Sequence, residues 1–169
     1  PTLRWDGCEK CRAAMQRANM TSSSELQGAF TKDVTSRLRL QGKEAIGWDE
    51  VLETGAPPGL PIMVWRKGDA AARALTRGHD VILVPSDRTY LDAKQSGRVD
   101  EPGADRVLSL DDVLTFDPSQ AEAPTAKGRI LGGQAALWTE HVATLAEIDT
   151  LLFPRLLPIS EALWSGTKA

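Results

Sequence analysis

Four short apolar runs, each followed by a longer amphipathic or polar stretch, organise this chain. Residues 46–48, 62–65, 81–84 and 130–137 are strand-sized and built around Ile, Val and Leu, the composition of strands buried between two layers. Helical periodicity fills much of the rest. Asp6 is placed to cap a short helix running through Ala18, and Ser22 with Glu25 makes a capping-box pattern that opens a longer one. In that second helix Leu26, Ala29, Phe30, Val34 and Leu38 recur as one apolar stripe, and Gly42 stands where a left-handed terminus is expected. A brief helical turn is predicted over 50–53, an Ala-rich helix over 69–77 closed by Gly78, one over 142–152, and a last one from near Ile159. Strands alternating with helices imply parallel pairing through right-handed crossovers.

Between Pro85 and about Lys127 the chain is polar and rich in Pro, Asp and Gly, with one short helix expected over 109–114. Loops this long in a compact domain are commonly functional. At 169 residues the chain fits one domain by length, whereas a complete (β/α)8 barrel typically needs about 250 residues. A net charge of -3 gives no reason to expect nucleic acid or an anionic membrane as partner. The apolar runs are too short to span a bilayer.

Chemistry concentrates at the carboxyl ends of the four runs, the end where parallel α/β folds place their sites. Ile130 to Leu137 delivers Trp138 and, two residues on, Glu140. Ile46-Gly47 leads into Trp48-Asp49-Glu50, Ile62-Met63-Val64 into Trp65-Arg66, and Val81 to Val84 is followed by Tyr90-Leu91-Asp92. An exposed indole is a flat apolar platform for the C–H face of a sugar, and an ionised carboxylate nearby is a strong acceptor for its hydroxyls.

These segments, in this order and spacing, resemble the second half of the catalytic barrel of glycoside hydrolase family 20, the β-N-acetylhexosaminidases. The likeness runs from about Trp5 to Trp164 and includes Phe153-Pro154-Arg155 and Glu161-Ala162-Leu163-Trp164. It implies an α/β fold, about strands 5 to 8 of a (β/α)8 TIM barrel with their helices, and makes residues 1–169 the carboxyl-terminal part of a family 20 catalytic domain. The implied activity is exo-hydrolysis of terminal N-acetylglucosamine, or N-acetylgalactosamine, from β-glycosides, with no metal and no organic cofactor. In this family the substrate assists: its acetamido oxygen attacks the anomeric carbon while a Glu protonates the leaving oxygen. That Glu and its Asp neighbour belong to a His-x-Gly-Gly-Asp-Glu motif, which the resemblance places before Pro1. The amino-terminal half-barrel is thus an expected partner, the isolated chain is expected to be inactive, and a non-catalytic carbohydrate-binding protein on the same fold is the alternative. By motif position Trp48, Trp65 and Trp138 would wall the acetamide pocket, Tyr90 would donate to the acetamido oxygen, and Asp92 and Glu140 would hold the 4- and 6-hydroxyls. No Trp lies between Tyr90 and Trp138, where some relatives support the leaving-side sugar. A bacterial parent would be periplasmic or secreted, a eukaryotic one lysosomal.

The remaining candidates read as structural. Asp49-Glu50 mimics the catalytic pair after the wrong strand, so Glu50 is expected to open a helix and Asp49 to brace the fold. Arg66 would brace neighbouring carboxylates, and His79 and His141 would be structural. Cys8 and Cys11 form a lone C-x-x-C without a second pair of ligands at zinc-site spacing, which favours packing thiols over a disulfide or metal. Asn19-Met20-Thr21 is formally a glycosylation acceptor.

Overall fold

A computed structural model describes residues 2–165 apart from 122 and 124. Among them are eight α-helices and six strands, divided into two compact units, residues 1–62 and 63–169.

The first unit is mostly helical. A turn at Gly7 and Cys8 separates α1 (Thr2–Asp6) from α2 (Glu9–Arg17), so Asp6 ends one helix rather than capping a longer one. In α3 (Ser23–Leu40) the Ser22 hydroxyl accepts the Glu25 N–H at 3.3 Å as expected, but Glu25 returns to Thr21, with the Thr21 hydroxyl at 2.6 Å. Gln41 is the cap and Gly42 follows at φ +68°, the predicted left-handed terminus. The apolar stripe is only partly packed: Leu26, Ala29 and Leu38 are half-buried, and Phe30 meets Trp5 edge to face at 6.4 Å. Ser23 and Thr35 are the buried positions, whereas Phe30 is 60% and Val34 37% exposed. Gly28 explains the choice: a Cβ there would stand 2.1 Å from the Thr54 carbonyl oxygen of α4 (Val51–Thr54), so α3 approaches α4 through small residues. Thr31 and Thr35 satisfy their hydroxyls on the carbonyls of Gln27 and Thr31 at 3.0 and 2.8 Å, which makes a polar contact face tolerable. Strand β1 (Gly47–Trp48) is tied by the Gly47 N–H to the Pro61 carbonyl at 3.0 Å, just before β2 (Ile62–Val64).

The second unit carries the order β2, β3 (Val81–Leu83), β6 (Ile130–Gly133). The β3 and β6 strands are parallel, with Val81 opposite Ile130 and Leu83 opposite Gly133, and the Val84 N–H reaches the Val64 carbonyl at 2.8 Å. This sheet is open and does not close into a barrel. Val64, Val81, Leu83 and Val84 are buried, as are Ala74 and Leu75 of α5 (Ala70–Thr76). Strand β6 is shorter than the predicted run 130–137. Gly132 sits at φ +137° beside a shift in register, the last ladder pair is Leu83 with Gly133, and parallel pairing resumes only as a single bridge between Tyr90 and Ala136.

One feature of the polar stretch escapes sequence periodicity, while its short helix forms as expected. Strands β4 (Ala93–Lys94) and β5 (Ala104–Val107) pair in parallel as a separate ribbon, followed by α6 (Leu110–Leu114) with a complete Ser109–Asp112 capping box. A second capping box, Thr144 with Glu147, opens α7 (Leu145–Leu152), and α8 (Leu156–Ser165) starts three residues before the predicted Ile159. Between these helices Arg155 is wholly buried, donating to the carbonyls of Leu108, Leu91 and Leu151 at 2.8, 2.7 and 2.6 Å.

Candidate active site

The bridge at Ala136 is the origin of the site. The Ala136 N–H donates to the Thr89 carbonyl at 2.8 Å and the Leu91 N–H to the Ala136 carbonyl at 2.7 Å, so Tyr90 is locked beside the segment that carries Trp138 two residues later. On its other side, the Ser86 N–H donates to the Trp65 carbonyl at 3.0 Å and fixes the start of the same loop to the end of β2. Three aromatics from three distant stretches thereby form a row. Tyr90 stacks on Trp65 with centroids 6.3 Å apart and rings 27° from parallel, and lies 6.2 Å from Trp138 at 49°. Those separations fall in the favourable range for offset aromatic pairs.

The row faces a cavity of about 420 Å³ in the second unit, lined by Trp65, Tyr90, Asp92, Trp138, Glu140 and His141 together with Ser86, Ala104 and Arg106. Five of the six residues singled out from the sequence thus share one cavity. Trp48, the sixth, is half-buried at the end of β1 in the first unit. Trp138 is 43% exposed, and Glu140 stands exposed on the 3-10 turn Thr139–His141. His141 is exposed on the cavity wall rather than packed into structure, whereas His79 is buried as expected. Asp49 is wholly buried and Glu50 is the N-cap residue of α4, as their structural assignment requires. Arg66 is half-buried after Trp65.

Arg106 is the residue that sequence reasoning missed. Its Nη2 donates to both Asp92 carboxylate oxygens at 3.0 Å, its Nη1 donates to the Ser86 carbonyl at 3.1 Å, and its guanidinium carbon lies 5.4 Å from the Tyr90 ring centroid. One cation therefore orients the carboxylate and covers the phenol ring. Asp92 is only 6% exposed, so it presents an already aligned carboxylate with lone pairs left over for a ligand hydroxyl. Nothing in the local pattern announces Arg106, because the link to Asp92 spans a 14-residue separation across a ribbon too short for periodicity to reveal.

Among the described residues no group of three or more His, Cys, Asp or Glu side chains could hold a metal ion, and no helix is long and apolar enough to cross a membrane. An aromatic row beside two carboxylates can grip a sugar by its apolar face and its hydroxyl edge at once.

Comparison with known proteins agrees. A β-hexosaminidase of Porphyromonas gingivalis is 38% identical over 168 residues, which is 98% of this chain and 22% of the relative, and a β-hexosaminidase of Vibrio furnissii is 33% identical, covering 92% of this chain and 26% of its own length. A family 20 exo-β-N-acetylglucosaminidase of Vibrio harveyi, solved in complex with N-acetylglucosamine, superposes with a TM-score of 0.86 at 34% identity, over 97% of this chain and 26% of that one. The chain spans about a quarter of the length of these relatives. The pattern of the glycosyl hydrolase family 20 catalytic domain matches residues 1–167, and with a relative of this identity and a matching fold the chain belongs to that family.

Proposed function

We propose that this chain supplies the sugar-holding wall of an exo-acting β-N-acetylhexosaminidase, as the carboxyl-terminal half of its (β/α)8 barrel. The observation that carries this reading is the row Trp65–Tyr90–Trp138 sharing one cavity with Asp92 and Glu140. Trp65 and Trp138 wall the pocket that folds the acetamide under the ring and keeps water from it. The Tyr90 hydroxyl donates to the acetamido oxygen as that atom becomes the nucleophile. Asp92, aligned by Arg106, and the exposed Glu140 accept from the 4- and 6-hydroxyls. Trp48 is assigned a sugar-contacting role from its motif alone. The general acid is not one of these residues; it is a Glu of the Gly-Gly-Asp-Glu motif in the amino-terminal half-barrel. The substrate is a terminal N-acetylglucosamine or N-acetylgalactosamine in β linkage.

Tyr90→Phe tests the reading in a protein that joins this chain to that half-barrel. The ring and its stacking on Trp65 are kept, so the change removes the hydroxyl and with it the bond proposed to strengthen toward the oxazolinium-like transition state. The expected outcome is a fall in kcat of about 10² to 10³ on an aryl N-acetylglucosaminide. A variant that changes KM alone would make Tyr90 a binding residue. A joined protein that binds N-acetylglucosamine without turning over any β-glycoside would replace the enzyme by a carbohydrate-binding module.

A further inference from the structure

The turn between α1 and α2 holds both cysteines of the chain, and neither lines the sugar cavity. Cys8 is the N-cap residue of α2, with extended backbone angles of φ -88° and ψ 122°, and Cys11 is the third residue of that helix. The turn is held from both sides: the Cys8 N–H donates to the Trp5 carbonyl at 3.1 Å, the Arg12 N–H to the Cys8 carbonyl at 3.0 Å, and the Arg12 guanidinium to the Asp6 carbonyl at 3.0 Å. Cys8 thus stands at the capping position three residues before Cys11, the spacing used by N-capping hydroxyls, although it makes no side-chain capping hydrogen bond itself. The rise and radius of a helix put Cα atoms three residues apart at about 5 Å, inside the roughly 4.4–6.8 Å that a disulfide spans. Both thiols are free and partly exposed, so a reagent can reach them.

The two thiols are not equivalent. The backbone N–H of Cys11, then its thiol, hold the Cys8 thiol below its ordinary value, with the Lys10 charge adding to the effect against partial burial. Cys11 moves the other way, because its thiol hydrogen-bonds Cys8 and because burial disfavours its thiolate. At the start of a helix of nine residues the unsatisfied N–H groups favour negative charge at the N-cap. Such asymmetry separates an attacking sulfur from a resolving one.

We propose that Cys8 and Cys11 form a thiol–disulfide exchange site, with Cys8 as nucleophile and Cys11 as resolving thiol, whose co-reactant is a low-molecular-weight disulfide. The Cys8 thiolate attacks one sulfur of the disulfide, forming a mixed disulfide while the other half leaves as thiolate. Cys11 gives up its proton and attacks the Cys8 sulfur, which breaks the mixed disulfide and releases the second half. The net reaction oxidises the two cysteines by two electrons, reduces one disulfide to two thiols, and transfers both protons to them.

Oxidised glutathione is the probe. The whole chain, its helical signal checked by far-ultraviolet circular dichroism, is exposed to it near neutral pH, quenched with an alkylating agent and digested with trypsin. Cleavage after Lys10 parts the two cysteines, so an internal disulfide shows as two joined peptides. The expected product is that joined pair, lighter by two hydrogens and restored by dithiothreitol. Cys11→Ser should instead accumulate glutathione on Cys8, and should react about tenfold faster than Cys8→Ser, in which only Cys11 remains. Serine keeps a donor beside each surviving sulfur, so the comparison tests position rather than lost polarity. Equal rates in the two variants, or wild-type chain that retains glutathione without closing the internal disulfide, would overturn the proposal.

Discussion

Replacing Arg155 by Met should unfold the second unit at far lower denaturant while leaving hydrophobic volume largely in place. The wild-type guanidinium makes three hydrogen bonds to backbone carbonyls, at 2.8, 2.7 and 2.6 Å, from a side chain with no solvent exposure. Charged donors contribute about 1.5–3 kcal/mol per bond, so the gross loss is about 5–9 kcal/mol. Against it stands the cost of holding a cation in the interior, several kcal/mol, which the variant no longer bears. That cost is visible in the guanidinium itself: burial pushes it down to about 10, with Glu101 and Asp92 opposing the shift and Arg106 adding to it. At neutral pH the charge is still retained. The net expectation is a loss of about 3–5 kcal/mol, because three carbonyls are left buried without their donor. With a urea slope of about 2 kcal/mol/M the midpoint should fall by about 2 M, followed by tryptophan fluorescence and by circular dichroism. Arg155→Lys separates charge from geometry, since one ammonium cannot serve carbonyls from three segments, and it should recover less than half of the loss. A Met variant within about 1 kcal/mol of wild type would refute the claim that this arginine anchors the loop.

Three further expectations follow from local geometry. Removing the guanidinium with Arg106→Ala leaves Asp92 nearly buried without its hydrogen-bonded ion-pair partner and should cost about 1–2 kcal/mol, and a double-mutant cycle with Asp92→Ala should recover most of that as coupling energy. Asp80 is held below the usual carboxylate range by the Arg129 side chain and then its N–H, so its contribution is complete above the unfolded value of about 3.9 and is lost as pH falls through the lower folded value. Asp80→Asn should therefore be less stable than wild type at neutral pH, with urea midpoints that converge as pH falls through the lowered folded value of Asp80. Gly28→Ala should destabilise the first unit by about 1–3 kcal/mol, although Ala is the better helix former by about 1 kcal/mol, because the new Cβ would meet the Thr54 carbonyl rather than a side chain that can move.

The contrast between Gly28 and Tyr90 shows where the sequence could be read and where it could not. Runs such as Val81 to Leu83 advertise strands because burial on two faces demands continuous Val, Ile and Leu, and aromatic or carboxylate residues just beyond them mark the ligand end. That is why Trp65, Tyr90, Asp92, Trp138 and Glu140, singled out from the sequence, line one cavity. The close approach of α3 to α4 was not legible, because the periodic apolar stripe outweighs Ser23, Gly28 and Thr35 in any count of hydrophobicity, while such an approach depends on the absence of side-chain bulk. The early end of β6 was hidden too, since Gly132-Gly133 is compatible with either a bent or a regular strand. Arg106 and Arg155 were invisible as pivots, because a guanidinium bound to loop carbonyls leaves no periodic trace.

Those two arginines account for how a largely irregular segment can present side chains at fixed positions. Loops with few ladder bonds ordinarily sample many conformations, and a binding site built on one loses affinity to the cost of ordering it. Here polar bonds to scattered carbonyls take the place of a ladder. Arg155 bonds Leu91, next to Asp92, and Leu108, two residues after Arg106; Arg106 in turn closes onto Ser86 and Asp92. The turn between β4 and β5 is gathered by Glu101, which accepts the N–H groups of Gln95 and Ser96 at 2.6 and 2.9 Å. Tyr90 lies inside this frame, with Trp65 and Trp138 on its two sides and its neighbours Thr89 and Leu91 bonded to Ala136. Its ring is therefore positioned by bonds made before any ligand arrives, which is the preorganisation that the proposed donation by its hydroxyl requires.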